Sequence, residues 1–178
     1  FIKKVSKMIF STFKIIDNLI KFNKVKAHCD IPCGIYDPIP AQIAAMTTVR
    51  MTDTIIELEE HEAKEHDGAR DMHYNNKISR MISEKDRSAE IVKHEIRIIW
   101  GDFFKEPQFK SYPELHNLVH EIMLLTSKCK QTIDQKSSRD MVEKINRFAE
   151  IFWQIKEVEY SRVKFHCKPN LEIVFPKF

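Results

Sequence analysis

Glycine is scarce in this chain, and long apolar runs are absent. The 178 residues include only three glycines and seven prolines, too few for the many turns of a sheet protein. No run of about 18 apolar residues occurs, so the sequence predicts no stable insertion into a membrane. The four cysteines, at positions 29, 33, 129 and 167, are too sparse for a disulfide framework. Together these absences favour an all-α protein with long helices.

Acidic residues are almost missing from the first 27 positions. That segment carries seven lysines and one aspartate, a balance of +6, whereas the whole chain carries +3. Residues 28–178 therefore carry −3. The basic character belongs to one terminal segment, which argues against nucleic acid as a partner of the main body.

The basic segment has the pattern of an amphipathic helix, with apolar residues recurring between the lysines. Val25-Lys26-Ala27 is typical of a small-x-small cleavage site and lies directly before His28. We predict that residues 1–27 are a leader removed by a processing protease. The alternatives are a surface helix that stays attached and a membrane-surface protein that uses this helix. A cytoplasmic location is expected, and an exported or organellar one stays open.

Four stretches after Pro38 repeat their core residues every three or four positions, which predicts four amphipathic helices. The first is predicted over 40–65 and the second over 75–104. Ser111 with Glu114 predicts a capping box for the third, and the stretch 137–140 predicts a cap for the fourth. The stripes are Ile43, Thr47, Met51, Ile55 and Leu58; Ala89, Val92, Ile96, Ile99 and Phe103; Leu115, Leu118, Ile122 and Leu125; and Met141, Ile145, Phe148, Phe152 and Ile155.

Such stripes are buried against other helices, and their short connections predict an antiparallel four-helix bundle. The sequence divides into a leader (1–27), an N-terminal metal-binding hook (28–38), the bundle (39–162) and a C-terminal extension (163–178). The extension lacks a helical pattern. We expect it to form an extended arm or a contact with another subunit.

The stretch HCDIPCGIYDP, residues 28–38, carries the densest chemistry of the chain. Cys29 and Cys33 can close a chelate ring on one metal ion, although a zinc half-site completed elsewhere is an alternative. Cleavage after Ala27 would give His28 a free amine. That amine, the Cys29 amide nitrogen and the two thiolates form an N2S2 set, with the His28 imidazole as an axial ligand. This tetragonal arrangement favours nickel or copper(II) over zinc.

The hook sequence resembles that of the nickel-containing superoxide dismutases. The resemblance continues in IIWGDFFKEPQFKSYPELHNLVHEIM (98–123) and INRFAEIFWQIKE (145–157), so it spans about 28–158. It implies a four-helix bundle that assembles as a homohexamer, with one nickel ion per subunit. It also implies the reaction 2 O2− + 2 H+ → O2 + H2O2, with nickel cycling between Ni(II) and Ni(III).

Residue roles follow from the same resemblance. His28 would supply amine and imidazole, Cys29 amidate and thiolate, and Cys33 the second thiolate. Asp30 would hold the hook through hydrogen bonds. Tyr36 would lie over the open axial face and position superoxide.

Three positions depart from the family's pattern. Ala44 stands where the family commonly has a glutamate that bonds the histidine ligand, and Ser88 stands where it has the partner arginine, with Arg87 adjacent. Phe103 replaces a common tyrosine. The loss of the glutamate–arginine pair leaves an alternative function, a helical-bundle protein that binds nickel or copper without turnover.

Four further residues could mark a second site. His116 and His120 have a helical spacing that can bind zinc, but we expect a solvated helix face. His94 is expected to be buried and hydrogen-bonded. Cys129 continues the stripe of the third helix, which predicts a core thiol.

Overall fold

A computed structural model describes residues 34–65 and 70–177. The predicted leader and the hook residues His28, Cys29, Asp30 and Cys33 lie outside the described residues. The described elements are α1 (Ile39–Glu65), α2 (Met72–Ile98), a π-helical turn (Ile99–Phe103), α3 (Glu106–Ser111), α4 (Leu115–Gln131), α5 (Gln135–Ile155), β1 (Tyr160–Lys164) and β2 (Glu172–Pro176). Within these residues no helix is long and apolar enough to cross a membrane.

The four long helices pack as an antiparallel bundle, as predicted. α1 packs against α2 and α5, and α4 packs against the same two helices. Two cross-helix hydrogen bonds show that α2 and α4 are antiparallel. The Trp100 indole, just after α2, donates to His116 near the start of α4, whereas the Lys85 ammonium, earlier in α2, donates to the last turn of α4. Short connections make this up-and-down order the direct arrangement for consecutive helices.

The predicted stripe of α5 forms the centre of the core. Met141, Ile145, Phe148 and Phe152 are all fully buried. The stripe of α2 is confirmed at Ala89, Val92, Ile96 and Ile99, and that of α4 at Leu115, Leu118 and Ile122. At the next step of α4, Thr126 rather than Leu125 is buried, and its hydroxyl donates to the Ile122 carbonyl.

The predicted face of α1 is wrong over its first half. Ile43 is 46% exposed, whereas Ala41 and Ala45 are fully buried. Small residues allow a close approach of α1 to its neighbours. Thr48 is also buried, and its hydroxyl is satisfied by donating to the Ala44 carbonyl at 3.0 Å. Because the buried face of α1 is formed by small residues, the positions of its large apolar residues predict the wrong face.

Both predicted helix caps are wrong in position. Ser111 ends the short helix α3, and its hydroxyl donates to the Pro107 carbonyl. α5 is capped by Asp134, three residues before Ser137, whose backbone N–H and hydroxyl both donate to the Asp134 carboxylate. The ammonium of Lys128 also donates to that carboxylate, and these hydrogen bonds hold the pKa of Asp134 well below its usual range.

The C-terminal residues form an antiparallel hairpin of β1 and β2 that packs on the bundle. Ile173 and Val174 of β2 are buried. The Gln42 side chain donates to the Val174 carbonyl at 3.0 Å and accepts from the Val174 N–H at 2.7 Å. Asn146 of α5 donates to the Glu172 carbonyl at 2.8 Å. These side chains satisfy the edge of β2, which would otherwise bury unpaired backbone groups.

Replacing Gln42 by leucine is expected to destabilise the hairpin. The change leaves the N–H and C=O of Val174 without partners in a buried position, at a cost of about 2 kcal/mol in the free energy of unfolding. Urea unfolding measures this loss. Gln154→Leu is the control, because Gln154 is exposed and its side-chain amide donates to the Tyr160 hydroxyl rather than to buried backbone. Equal stability of the two variants would contradict the role assigned to Gln42.

Candidate functional site

The described part of the predicted hook is a short lead into α1. Gly34 has a φ of +70°, in the left-handed region that glycine adopts without strain. Asp37 accepts a hydrogen bond from the Ile39 N–H at 2.8 Å, and the Pro38 carbonyl accepts one from the Gln42 N–H. The Asp37 carboxylate thus caps the helix that follows the hook, and the lead enters α1 in a defined direction.

Tyr36 packs against an aromatic cluster at this end of the bundle. Its ring is half-buried, with its centroid 5.8 Å from that of Phe103. Phe103 in turn contacts Phe152 at 4.7 Å and Phe104 at 5.1 Å. The aromatic contact with Phe103 limits the positions that the Tyr36 phenol can take.

A π-helical turn, which the sequence analysis missed, presents Phe103 to Tyr36. The N–H of Phe104 donates to the Ile99 carbonyl five residues earlier, so the helical turn that directly follows α2 is one residue wider than an α-helical turn. Phe104 is then fully buried and Phe103 lies at the rim. Gly101 within this turn is the only sequence signal for a departure from regular helix.

One cation lies on this aromatic rim. The Lys156 ammonium lies 5.3 Å from the Phe103 ring centroid and 5.7 Å from that of Phe152. Both distances are within the range of a cation–π interaction. Nothing in the helical pattern singled out Lys156, because it directly follows the last residue of α5.

A carboxylate–guanidinium pair lies beside Ala44 and Ser88, two of the three positions at which the sequence departs from the pattern that it resembles. Ala44 and Ser88 are buried and line a cavity of about 320 Å³ together with Glu84 and Arg87. Arg87 donates twice to Glu84, at 2.7 and 2.9 Å, and Ser88 donates to it at 3.1 Å. These bonds, led by those from Arg87, lower the pKa of Glu84. α2 alone therefore supplies an ionised carboxylate next to Ala44.

The secondary candidates have structural roles. His116 accepts a hydrogen bond from the Trp100 indole at 3.1 Å and stacks on Phe109 with ring centroids 4.0 Å apart. His94 is exposed, so the expectation of a buried histidine was wrong. Cys129 is 1% exposed, and burial raises the pKa of its thiol to about 11, which confirms a core thiol. Across residues 34–65 and 70–177 no group of three or more His, Cys, Asp or Glu could hold a metal ion.

Comparison with known proteins covers the whole predicted hook and the four long helices of the bundle. The family model for nickel-containing superoxide dismutase matches residues 23–156. The superoxide dismutase [Ni] of Streptomyces seoulensis is 35% identical over 134 residues, which are 75% of this chain and 92% of that protein. That of Streptomyces coelicolor is 34% identical over 133 residues, 75% of this chain and 91% of the relative.

Solved structures of nickel-containing superoxide dismutases have the same fold as this chain. A nickel-containing superoxide dismutase after partial X-ray-induced reduction aligns with a TM-score of 0.61 and 33% identity, covering 73% of this chain and 99% of that one. A native nickel superoxide dismutase aligns at 0.58 with 34% identity, covering 72% and 99%. The family match ends at the last turn of α5, before the β1–β2 hairpin. The chain therefore belongs to the family of nickel-containing superoxide dismutases.

Proposed function

We propose that His28, Cys29 and Cys33 are the residues with which this superoxide dismutase holds its nickel ion. The observation that carries the proposal is the HC-x3-C sequence inside the family match, which begins at residue 23. Asp37 and Pro38, the last two residues of the hook, accept hydrogen bonds from the first turn of α1. A fixed helix start directly after the hook would limit the conformations open to the metal-binding loop.

The donor set fits nickel. Two thiolates are soft ligands, and a terminal amine with a deprotonated amide completes a tetragonal N2S2 set. This set exists only after cleavage between Ala27 and His28, because an uncut peptide bond leaves no amine at His28. Nickel, when bound, supplies the one-electron couple that dismutation requires. The cleavage makes a processing protease part of the proposal.

Tyr36 and Asp30 would serve the hook and the substrate. The Tyr36 hydroxyl can donate a hydrogen bond to a small anion, and its packing against Phe103 restricts where that hydroxyl points. The buried rings of Phe104 and Phe152 behind Phe103 keep water out of this end of the core. Asp30 would accept hydrogen bonds from the backbone of the hook and hold its shape.

Assembly and location complete the proposal. A homohexamer with one nickel ion per subunit is proposed from the family resemblance. Exposed apolar side chains, including Leu124 at 57% exposure, are available for subunit contacts. A cytoplasmic enzyme with a leader removed on maturation is proposed. The leader's seven lysines and one aspartate are equally compatible with transport, so fractionation of cells is the direct check of location.

The position of the chain start tests the proposed site. One version begins at His28, and the matched control begins at Ala27 and differs by that single residue. The His28 version is expected to bind one nickel ion per subunit, with thiolate-to-nickel absorption and rapid superoxide removal. The Ala27 version is expected to lose both, because the amine is displaced from the metal plane. Equal nickel binding and activity of the two versions would disprove the proposed ligand set.

A further inference from the structure

The C-terminal hairpin stands with one edge on the bundle and the other edge in solvent. The Val174 N–H and C=O both bond the side chain of Gln42 in α1, and the Glu172 C=O accepts from Asn146 in α5. These bonds close the edge of β2 that points away from β1. β1 is therefore the outer strand, and its last three residues, 162–164, are exposed.

The hydrogen-bond pattern of the hairpin fixes which backbone groups of β1 point outward. Val174 lies opposite Arg162 in the antiparallel register. Because Val174 uses its N–H and C=O for Gln42, the pair is not hydrogen-bonded, and the N–H and C=O of Arg162 also point away from the sheet. Those of Tyr160 and Lys164, two positions away on either side, point the same way. No hydrogen bond from the described part of the chain occupies that edge, so β1 presents a template for another strand.

The charges of the hairpin favour a second copy of this chain as the partner. A charged residue on an edge strand ordinarily discourages pairing, but Arg162 is compensated by Glu143 and Glu150 of α5, at 2.7 Å each. Residues 160–178 contain four basic residues and one glutamate, a balance of +3, so residues 28–159 carry −6. Two hairpins placed edge to edge would lie between two acidic bundles and offset the repulsion between them.

We propose that β1 pairs with β1 of a second copy, antiparallel and about a two-fold axis at Arg162. In that register Arg162 faces the partner's Arg162, and Tyr160 faces the partner's Lys164. The outward N–H and C=O groups of all three positions then find partners, about six hydrogen bonds in total. The two hairpins become one continuous sheet. This surface follows residue 156, where the family match ends, and the pairing does not depend on the metal site.

The same register covers apolar surface that one chain leaves exposed. Val163 is 40% exposed and Phe175 is 48% exposed. Both line an apolar groove of about 450 Å³ that the hairpin forms with Ile43 of α1. In the proposed sheet Val163 lies opposite the partner's Ser161, which is itself beside Phe175 on β2. Because serine is small, the Phe175 ring of one copy can reach across to Val163 of the other.

Lys164→Pro tests the pairing. Proline lacks the N–H that β1 would donate to the partner, and its ring obstructs a strand at that edge, whereas the ladder to β2 does not use this N–H. Lys164→Ala is the matched control, because it removes the same side chain and keeps the N–H. In sedimentation of the purified protein over a dilution series, Lys164→Pro should weaken association between copies by about tenfold or more. Lys164→Ala should stay within about threefold of the wild type.

A disulfide between copies reads the register directly. Opposite residues of a non-hydrogen-bonded antiparallel pair have Cα atoms about 4.5 Å apart, which a disulfide can span. Chains with Ser161→Cys are mixed with chains with Val163→Cys, both also carrying Cys167→Ser, and are oxidised mildly. Mass spectrometry of the linked peptides should find the bond between positions 161 and 163. Either variant alone should give far less of a bond between identical positions.

Three outcomes would overturn the proposal. Lys164→Pro and Lys164→Ala could associate equally, the mixture could give no more linked peptide than either variant alone, or the wild type could stay monomeric with this edge open to other proteins. If Lys164→Pro unfolds the hairpin, the disulfide result decides. A hexamer whose size responds to neither variant and that gives no 161–163 bond would reject the hairpin pairing alone. Failure of the proposed metal site would be seen separately, as a protein that lacks nickel although its hairpins pair.

Discussion

Cys33→Ser is expected to reduce superoxide dismutation by about three orders of magnitude or more, as expected for the loss of a group that acts as part of a unit. A serine hydroxyl is not deprotonated at neutral pH and is a hard donor, so one of the two thiolate ligands is lost. Nickel held by one thiolate is harder to oxidise. Nickel content should fall with the activity, and the thiolate-to-nickel absorption should weaken.

The matched control for Cys33→Ser is Cys167→Ser. Cys167 is an exposed free thiol between the two strands of the hairpin, and its replacement should leave nickel content and activity unchanged. Cys129 cannot compensate for the lost ligand, because burial raises the pKa of its thiol to about 11 and keeps it protonated at neutral pH. Retained activity in Cys33→Ser, or an equal loss in Cys167→Ser, would show that the hook thiolate is misassigned.

The bundle could be predicted because its strongest signals are local. On α5, Met141, Ile145, Phe148 and Phe152 are large, regularly spaced and all buried, so one helix identifies its own inner face. Cys129 was placed in the core by continuing the spacing of α4. The metal site could be predicted from the HC-x3-C sequence for the same reason, because its proposed ligands are neighbours in the chain.

The α1 face and the hairpin depend on contacts that a one-dimensional pattern does not contain. Ala41 and Ala45 are buried because α2 and α5 approach closely, and Ile43 is displaced to a groove that it shares with Val163 and Phe175 of the hairpin. Gln42 would ordinarily be assigned to the surface. Its side-chain amide can be buried because it donates to the Val174 carbonyl and accepts from the Val174 N–H, 132 residues later in the chain.

Two features at the Tyr36 end of the bundle could not be predicted for a related reason. The π-helical turn depends on a bond between Phe104 and Ile99 that competes with regular helix. The position of Lys156 on the Phe103 ring likewise depends on how α5 packs against the π-helical turn. Glu84 likewise lines the cavity beside Ala44 from another helix, a proximity that the local sequence does not indicate.

Lys85→Met is expected to cause the largest loss of stability, about 2–4 kcal/mol in the free energy of unfolding. Lys85 of α2 is 1% exposed, and its ammonium donates to the Cys129 carbonyl, to the Lys130 carbonyl at 2.9 Å and to Asp86 at 2.9 Å. The two carbonyls belong to the last turn of α4, where helix carbonyls lack partners and the helix dipole is negative. Methionine fills similar space but donates nothing, so these carbonyls are left buried and unpaired.

Thermal unfolding at fixed protein concentration should show the melting temperature of Lys85→Met lowered by roughly 5–10 °C. Lys93→Met is the control on the same helix, because Lys93 donates to the single hydroxyl of Ser127 from a half-buried position. Its loss should stay near 1 kcal/mol or below. A Lys85→Met protein as stable as the wild type would mean that the cost of burying the ammonium cancels its three hydrogen bonds, as happens for some buried ion pairs. The hydrogen bonds of Lys85 to the last turn of α4 would then fix the position of that helix end without stabilising the bundle.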